Sequence, residues 1–149
     1  MRRAWLLMLC VCSVGLTLAH SASAADNAAK DQDEAQLAYV TVAGAPGDGE
    51  QALTKALYDA LAAQGVKQAN FNDTHVYEIE GIVRVEADAG GKQSVKINWI
   101  VFDADGNTLG HVAQTKSVRK GSLDKAWGPA AKAAAGAAVG EIMELLQQR

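Results

Sequence analysis

Two stretches of strict alternation constrain this chain most: VYEIEGIVRVEAD at 76–88 and QSVKINWIVF at 93–102. A period of two residues sends successive side chains to opposite faces of a strand. In the first stretch Tyr77, Ile79, Val83 and Val85 share a face with Gly81, and Glu78, Glu80, Arg84 and Glu86 share the other. In the second, Val95, Ile97, Trp99 and Val101 point one way. Gly90 and Gly91 supply a turn between them, and DADGN at 103–107 turns the chain into a third stretch, TLGHVAQTKSV. Three strands joined by short turns read as an antiparallel meander.

The remaining elements follow from the other period. After a short apolar strand at 37–43, Leu53, Ala56, Leu57, Ala60 and Leu61 recur at helical spacing over 49–64, with Gly65 as the stop. A second helix begins at Pro129, is rich in alanine and ends in EIMELLQQR. The order is β-α-β-β-β-α. A strand-helix-strand unit makes its two strands parallel, and the later strands run antiparallel. The expected fold is therefore α+β: a two-layer sandwich with a mixed four-stranded sheet and both helices on one face.

The N-terminus says where such a domain works. MRRAWLLMLCVCSVGLTLAHSASA places Arg2 and Arg3 before an apolar run and ends on Ala22-Ser23-Ala24. That is the charge, core and small-residue pattern of a secretory signal peptide at 1–24, cut after Ala24, and it predicts a periplasmic protein. An uncleaved anchor, or acylation at Cys10 or Cys12, are the alternatives; Leu9 and Val11 are bulky before a lipidated cysteine. The polar segment 25–36 reads as a flexible leader and 37–149 as one domain. Cleavage removes both cysteines, and with them disulfides, thiolate catalysis and cysteine metal sites. It also takes the formal charge from −3 to about −5, which argues against nucleic acid as a partner.

Several motifs invite a chemical reading. Gly44 and Gly49 have the spacing of a phosphate-binding loop, but Glu50 and Gln51 stand where that loop needs Lys and Ser or Thr. The bland reading is that the glycines bend the chain, Asp48 caps the helix and Gln51 closes a capping box. Asp103 to Asn107 has the oxygen ligands of a calcium loop, without the glycine or glutamate at the required places. It reads as a hairpin turn. His75 lies near Asp73 in a polar connection and His111 lies on a strand. Neither belongs to a catalytic motif, so no catalytic, cofactor or metal residues are expected. Gly136 and Gly140 form a small-residue stripe that is read as allowing close approach of the last helix to the sheet, or else a flat contact with a partner.

Surplus apolar residues carry the functional expectation. Ile82, Ile100, Phe102 and Leu109 fall on the strand face opposite the core, and Trp127 precedes Gly128-Pro129 in a connecting loop. An apolar patch on a polar face marks a docking site, whereas a loop tryptophan either caps the core or meets a partner.

GAPGDG before a helix, the strand pattern Q-x-V-x-I-x-W-x-V from Gln93, D-G-x-x-L-G from Asp105 and G-S-L-D-x-x-W-G from Gly121 together resemble a family of small, largely uncharacterised envelope proteins and lipoproteins of alphaproteobacteria. The resemblance spans nearly all of the exported chain. More loosely, the element order resembles the N-terminal domain of TolB and the penicillin-binding-protein activator LpoB. The resemblance implies an envelope protein; export, the lack of a catalytic motif and the surplus apolar residues add the expectation of a non-enzymatic protein with a protein partner, with lipid or outer-membrane association as a further expectation. Ile82, Ile100, Phe102, Leu109 and Trp127 are the predicted partner-binding residues. The rival is a small-molecule or lipid carrier, with a ligand between helices and sheet near Tyr77 and Trp99.

Overall fold

The computed structural model describes residues 36–148. The expected signal peptide at 1–24 and the expected leader before Gln36 lie outside the described residues. The elements are β1 (Leu37–Ala43), α1 (Gly49–Ala62), β2 (Lys67–Gln68), β3 (Val76–Ala87), β4 (Lys92–Phe102), β5 (Thr108–Arg119) and α2 (Gly128–Leu146), with a single 3₁₀ turn at Ala89–Gly91. They build an α+β fold on one mixed sheet of order β2-β1-β3-β4-β5. β1 runs parallel to β2 and β3, whereas β3, β4 and β5 form the antiparallel meander.

The sheet thus has five strands where the alternation predicts four. The addition, β2, is two residues long and both side chains are exposed, so no periodicity could announce it. Its evidence is in the backbone: the Lys67 amide donates to the Gln36 carbonyl at 2.8 Å and the Ala69 amide to Ala38 at 2.9 Å. Flanking it, Val66 and Ala69 are buried.

One apolar layer joins sheet to helices. Ala38, Val40, Ile79, Val83, Val95, Ile97, Trp99, Val101 and Val112 line the inner face of the sheet. Leu53, Leu57 and Leu61 of α1 and Ala131, Ala135, Ala138, Ile142 and Leu146 of α2 close over it. Spacings of three and four residues put each set on one helical stripe. Helix α1 ends as its sequence requires. Gly65 takes φ +87, its amide donates to Ala62, and the Val66 amide reaches back to Leu61. That pair of bonds is a Schellman stop, which glycine enters without a Cβ penalty.

The small-residue stripe works differently from the expectation. Gly136 and Gly140 are exposed, and a Cβ at either would meet nothing. Close approach to the sheet is made by the buried alanines of α2 and by Gly110 on β5, where a Cβ would come within 2.6 Å of Leu145.

Candidate functional site

The glycine-rich turn after β1 meets the loop before α2. A Cβ at Gly47 would lie 2.8 Å from the Asp124 carbonyl oxygen, and one at Gly49 would lie 2.6 Å from the indole of Trp127. The Asp48 amide donates to Lys125 at 3.2 Å, and the Asp48 carboxylate accepts from the Trp127 amide at 2.8 Å. The expected capping box does not form, since α1 has no side-chain cap. Asp48 serves the first residues of α2 instead, and Glu50 accepts from the Gly44 amide at 2.9 Å. Two carboxylates at this turn, one on the Gly44 amide and one on the Trp127 amide, give a phosphate unfavourable charge.

Trp127 is 1% exposed, with its indole N–H donating to Leu123 at 2.9 Å. This corrects its assignment to a partner surface: the tryptophan caps the core. Leu109 also leaves the predicted patch. A bulge at Val101/Phe102 pairs Val101 with Gly110 and Phe102 with Thr108, so Leu109 is the extra residue. It rests against the core cluster. Bulges re-aim side chains in this way, and simple alternation counts straight through them.

The other three predicted residues stay on the open face. Ile82 pairs with Asn98, Ile100 with Glu80 and His111, and Phe102 with Glu78 and Thr108. Ile100 follows Phe102 on the same side of β4, and Ile82 lies diagonally from Ile100, within reach of long side chains. Ile82 is 40% exposed, and Ile100 and Phe102 are partly covered. Tyr39 joins them from β1: it is 50% exposed, opposite Glu78. The patch is therefore apolar residues interleaved with Glu78 and Glu80, and Arg84 and Lys96 extend the face beyond Ile82.

Two exposed aromatics escaped the sequence reading. Tyr39 was hidden because a strand as short as β1 was read only for its valines. Phe71 is fully exposed in the connection 70–75. That connection is tied by Asp73, which accepts from the Asn70 amide at 2.6 Å and from its side chain at 3.3 Å. His75 adopts φ +57 there. The Asp73 carboxylate is thus committed to the turn, and among the described residues no three His, Cys, Asp or Glu side chains gather as metal ligands.

The hairpin DADGN is built by Asp103. Its carboxylate accepts from the Asp105 amide at 2.9 Å, from the Asn107 amide at 2.8 Å and from the Asn107 side chain at 3.0 Å. The Asn107 side chain, helped by the backbone amides, holds the Asp103 carboxyl below its ordinary range. With its oxygens spent on the turn, Asp103 performs the hairpin role.

On the helix side, Trp99 is fully buried and lies over Gly81, where a Cβ would stand 2.5 Å from the ring. It fills the space in which the carrier reading expected a ligand. A groove of about 430 Å³ instead runs beside it, between α2 and the β4–β5 edge. Val95, Ile97 and Val118 lie on its sheet side, Ala133 and Ala137 on its helix side, and Lys116 at its rim. Gln114 bridges the walls, donating to Ala134 of α2 at 3.1 Å. Next to Val118 in register is Gln93, buried, whose Oε1 accepts from the Gly121 amide at 3.2 Å and whose Nε2 has no partner.

No family model matches the chain, and no curated protein matches it in sequence. Solved structures are similar in fold. The crystal structure of an uncharacterised protein has a TM-score of 0.52 at 14% identity, covering 72% of this chain and 92% of that one. The hypothetical protein CT253 from Chlamydia trachomatis has a TM-score of 0.50 at 8% identity, covering 76% of this chain and 97% of its own. A minor lipoprotein from Acinetobacter baumannii has a TM-score of 0.44 at 11% identity, over 75% and 91%. The first two share the architecture; at such identities architecture carries no chemistry with it. No helix among the described residues is long and apolar enough to cross a membrane.

Proposed function

We propose that this is an exported, non-enzymatic binding protein of the cell envelope that docks a partner protein on the open face of its sheet. Export rests on the signal-like N-terminus, and the envelope assignment on the sequence resemblance. The observation that carries the docking site is the placement of Ile82, Ile100, Phe102 and Tyr39 on the one face that neither helix covers. Glu78 and Glu80 stand among them, so the matching surface presents aliphatic or aromatic anchors flanked by Lys or Arg.

A photo-cross-linker at Ile82 or Phe102, introduced in intact cells, is expected to capture one discrete partner, and the same group at Lys55 on α1 is expected to capture none. Identical products from both faces, or no product from the sheet face, would defeat the reading. The second reading, a small-molecule or lipid carrier, keeps only the groove between α2 and β5 in its favour. Native mass spectrometry of freshly purified protein tests it, because a carried ligand adds a fixed mass.

A further inference from the structure

Among the described residues, Gln93 alone is a buried side chain with an unused hydrogen-bonding atom. It is 6% exposed, its Oε1 accepts from the Gly121 amide at 3.2 Å, and its Nε2 has no partner. A buried donor without an acceptor is costly and rare. The surroundings of this one show what would supply the acceptor. Gln93 precedes Val95 on the inward side of β4 and pairs with Val118, and both valines line the groove between β5 and α2. Lys116, paired with Val95, is the diagonal neighbour of Gln93 and lines the groove as well. Long side chains reach across such a diagonal. One end of the groove thus has two N–H donors beside it, one of them cationic, and a carboxylate is the group that takes both.

The opposite end carries the opposite charge. Gly110 of β5 lies against Leu145 and Gln114 bonds to Ala134, so β5 and α2 run in opposite directions. Glu141, which lines the groove one helical turn before Leu145, therefore stands on the far side of Gln114 from Lys116. At the usual rises about 10 Å of helix and about 7 Å of strand separate the two backbone positions. Neither side chain is in an ion pair among the described residues. Between these ends the walls are apolar, with Val95 and Ile97 on the sheet and the small Ala133 and Ala137 on the helix. β5 is also the outermost strand, so main-chain N–H and C=O groups without a strand partner border the groove. We infer that the groove binds a short free peptide of small apolar residues. Its terminal carboxylate meets Gln93 and Lys116, its terminal ammonium meets Glu141, and its extended backbone runs parallel to β5. Four residues at about 3.4 Å each, with the reach of the lysine and glutamate side chains, span the interval. An acyl chain would satisfy the donors but would bring its tail against Glu141 and leave the strand edge unused.

This site gives the carrier reading a ligand class and rests on that reading, since it shares no residue with the open face. The probe is tetra-alanine with free termini, titrated into ¹⁵N-labelled protein. Saturable binding is expected, with the side-chain amide signals of Gln93 shifting as the site fills. Lys116→Ala and Glu141→Gln should each weaken binding about tenfold, the loss of one close charge pair. Tetra-alanine amide, without the carboxylate, and acetyl-tetra-alanine, without the ammonium, should lose about as much against the unaltered protein. Ala137→Trp fills the groove from an exposed helix position and should abolish binding at unchanged melting temperature, whereas Ile82→Glu on the open face should leave it intact. Equal binding of either blocked peptide, or an unmoved Gln93 amide at saturation, would overturn the assignment. Decanoate occupying the groove while the peptide fails to bind would overturn the peptide and leave a carrier, and binding by neither would remove both.

Discussion

Trp99 and Trp127 are both fully buried, and each lies against a glycine whose missing side chain makes room for it. At Gly81 strand propensity and packing pull in opposite directions, since valine is favoured in a strand but its Cβ would stand 2.5 Å from the Trp99 ring. The ring is fully buried in the core, so packing should win. Gly81→Val is expected to destabilise the fold by about 1–3 kcal/mol, measured by urea unfolding, and a neutral or stabilising result would mean that Trp99 is free to tilt. The Asp103 turn offers a test in pH. Its carboxyl is held below the ordinary value in the folded state, whereas in the unfolded chain it titrates near 3.9. The group therefore adds stability above about pH 4, and that stability is lost as pH falls through the depressed folded value. Asn107→Ala removes the largest cause. NMR titration should show the Asp103 carboxyl moving up toward the ordinary range in that variant, and an unmoved titration would assign the shift elsewhere.

At the scale of elements, the sequence was legible wherever a period ran long enough. The 12-residue β3, the 11-residue β4, both helices and the Gly65 stop stand where alternation and helical spacing put them. What escaped was the work of single backbone groups and distant pairs. β2 is two exposed residues held by main-chain bonds, and the bulge at Leu109 is one extra residue in an otherwise regular strand. Asp48 looked like a local cap because its real acceptor role, at Trp127, is 79 residues away. The same limit applied to the candidate site: Ile82, Ile100 and Phe102 could be assigned to a face by counting, but Trp127 could not be told from a surface anchor without its neighbours. Gly65 isolates the purely local contribution. It adopts φ +87 and a Cβ there would meet nothing, so Gly65→Ala changes backbone preference without changing packing. A loss of about 1 kcal/mol is expected, read from the shift in urea midpoint at constant slope. No loss would mean that the helix end rearranges rather than strains.

For the whole molecule the question is whether the loop before α2 belongs to the same cooperative unit as the sheet. Trp127 sits outside the regular elements, yet it is joined to the first helix turn through Asp48 and Gly49 and to the core cluster through its ring. Trp99 lies at the centre of the sheet, bonded to it on both sides through the Gly81 and Val112 pairs. If both rings report one core, they should lose their burial together, because a small domain with a single apolar layer unfolds in one step. Trp99→Phe and Trp127→Phe each leave one buried reporter in the domain. Within each variant, tryptophan fluorescence and far-ultraviolet circular dichroism should give coincident urea transitions. Midpoints will differ between the two, since each substitution costs its own packing. The decisive comparison is therefore internal to the Trp99→Phe protein: if its remaining indole becomes exposed at lower urea than the loss of secondary structure, the loop opens on its own. Since Leu123 and Trp127 line the groove beside β5, such independent opening would make that groove an adjustable surface; a single transition makes it part of the rigid fold.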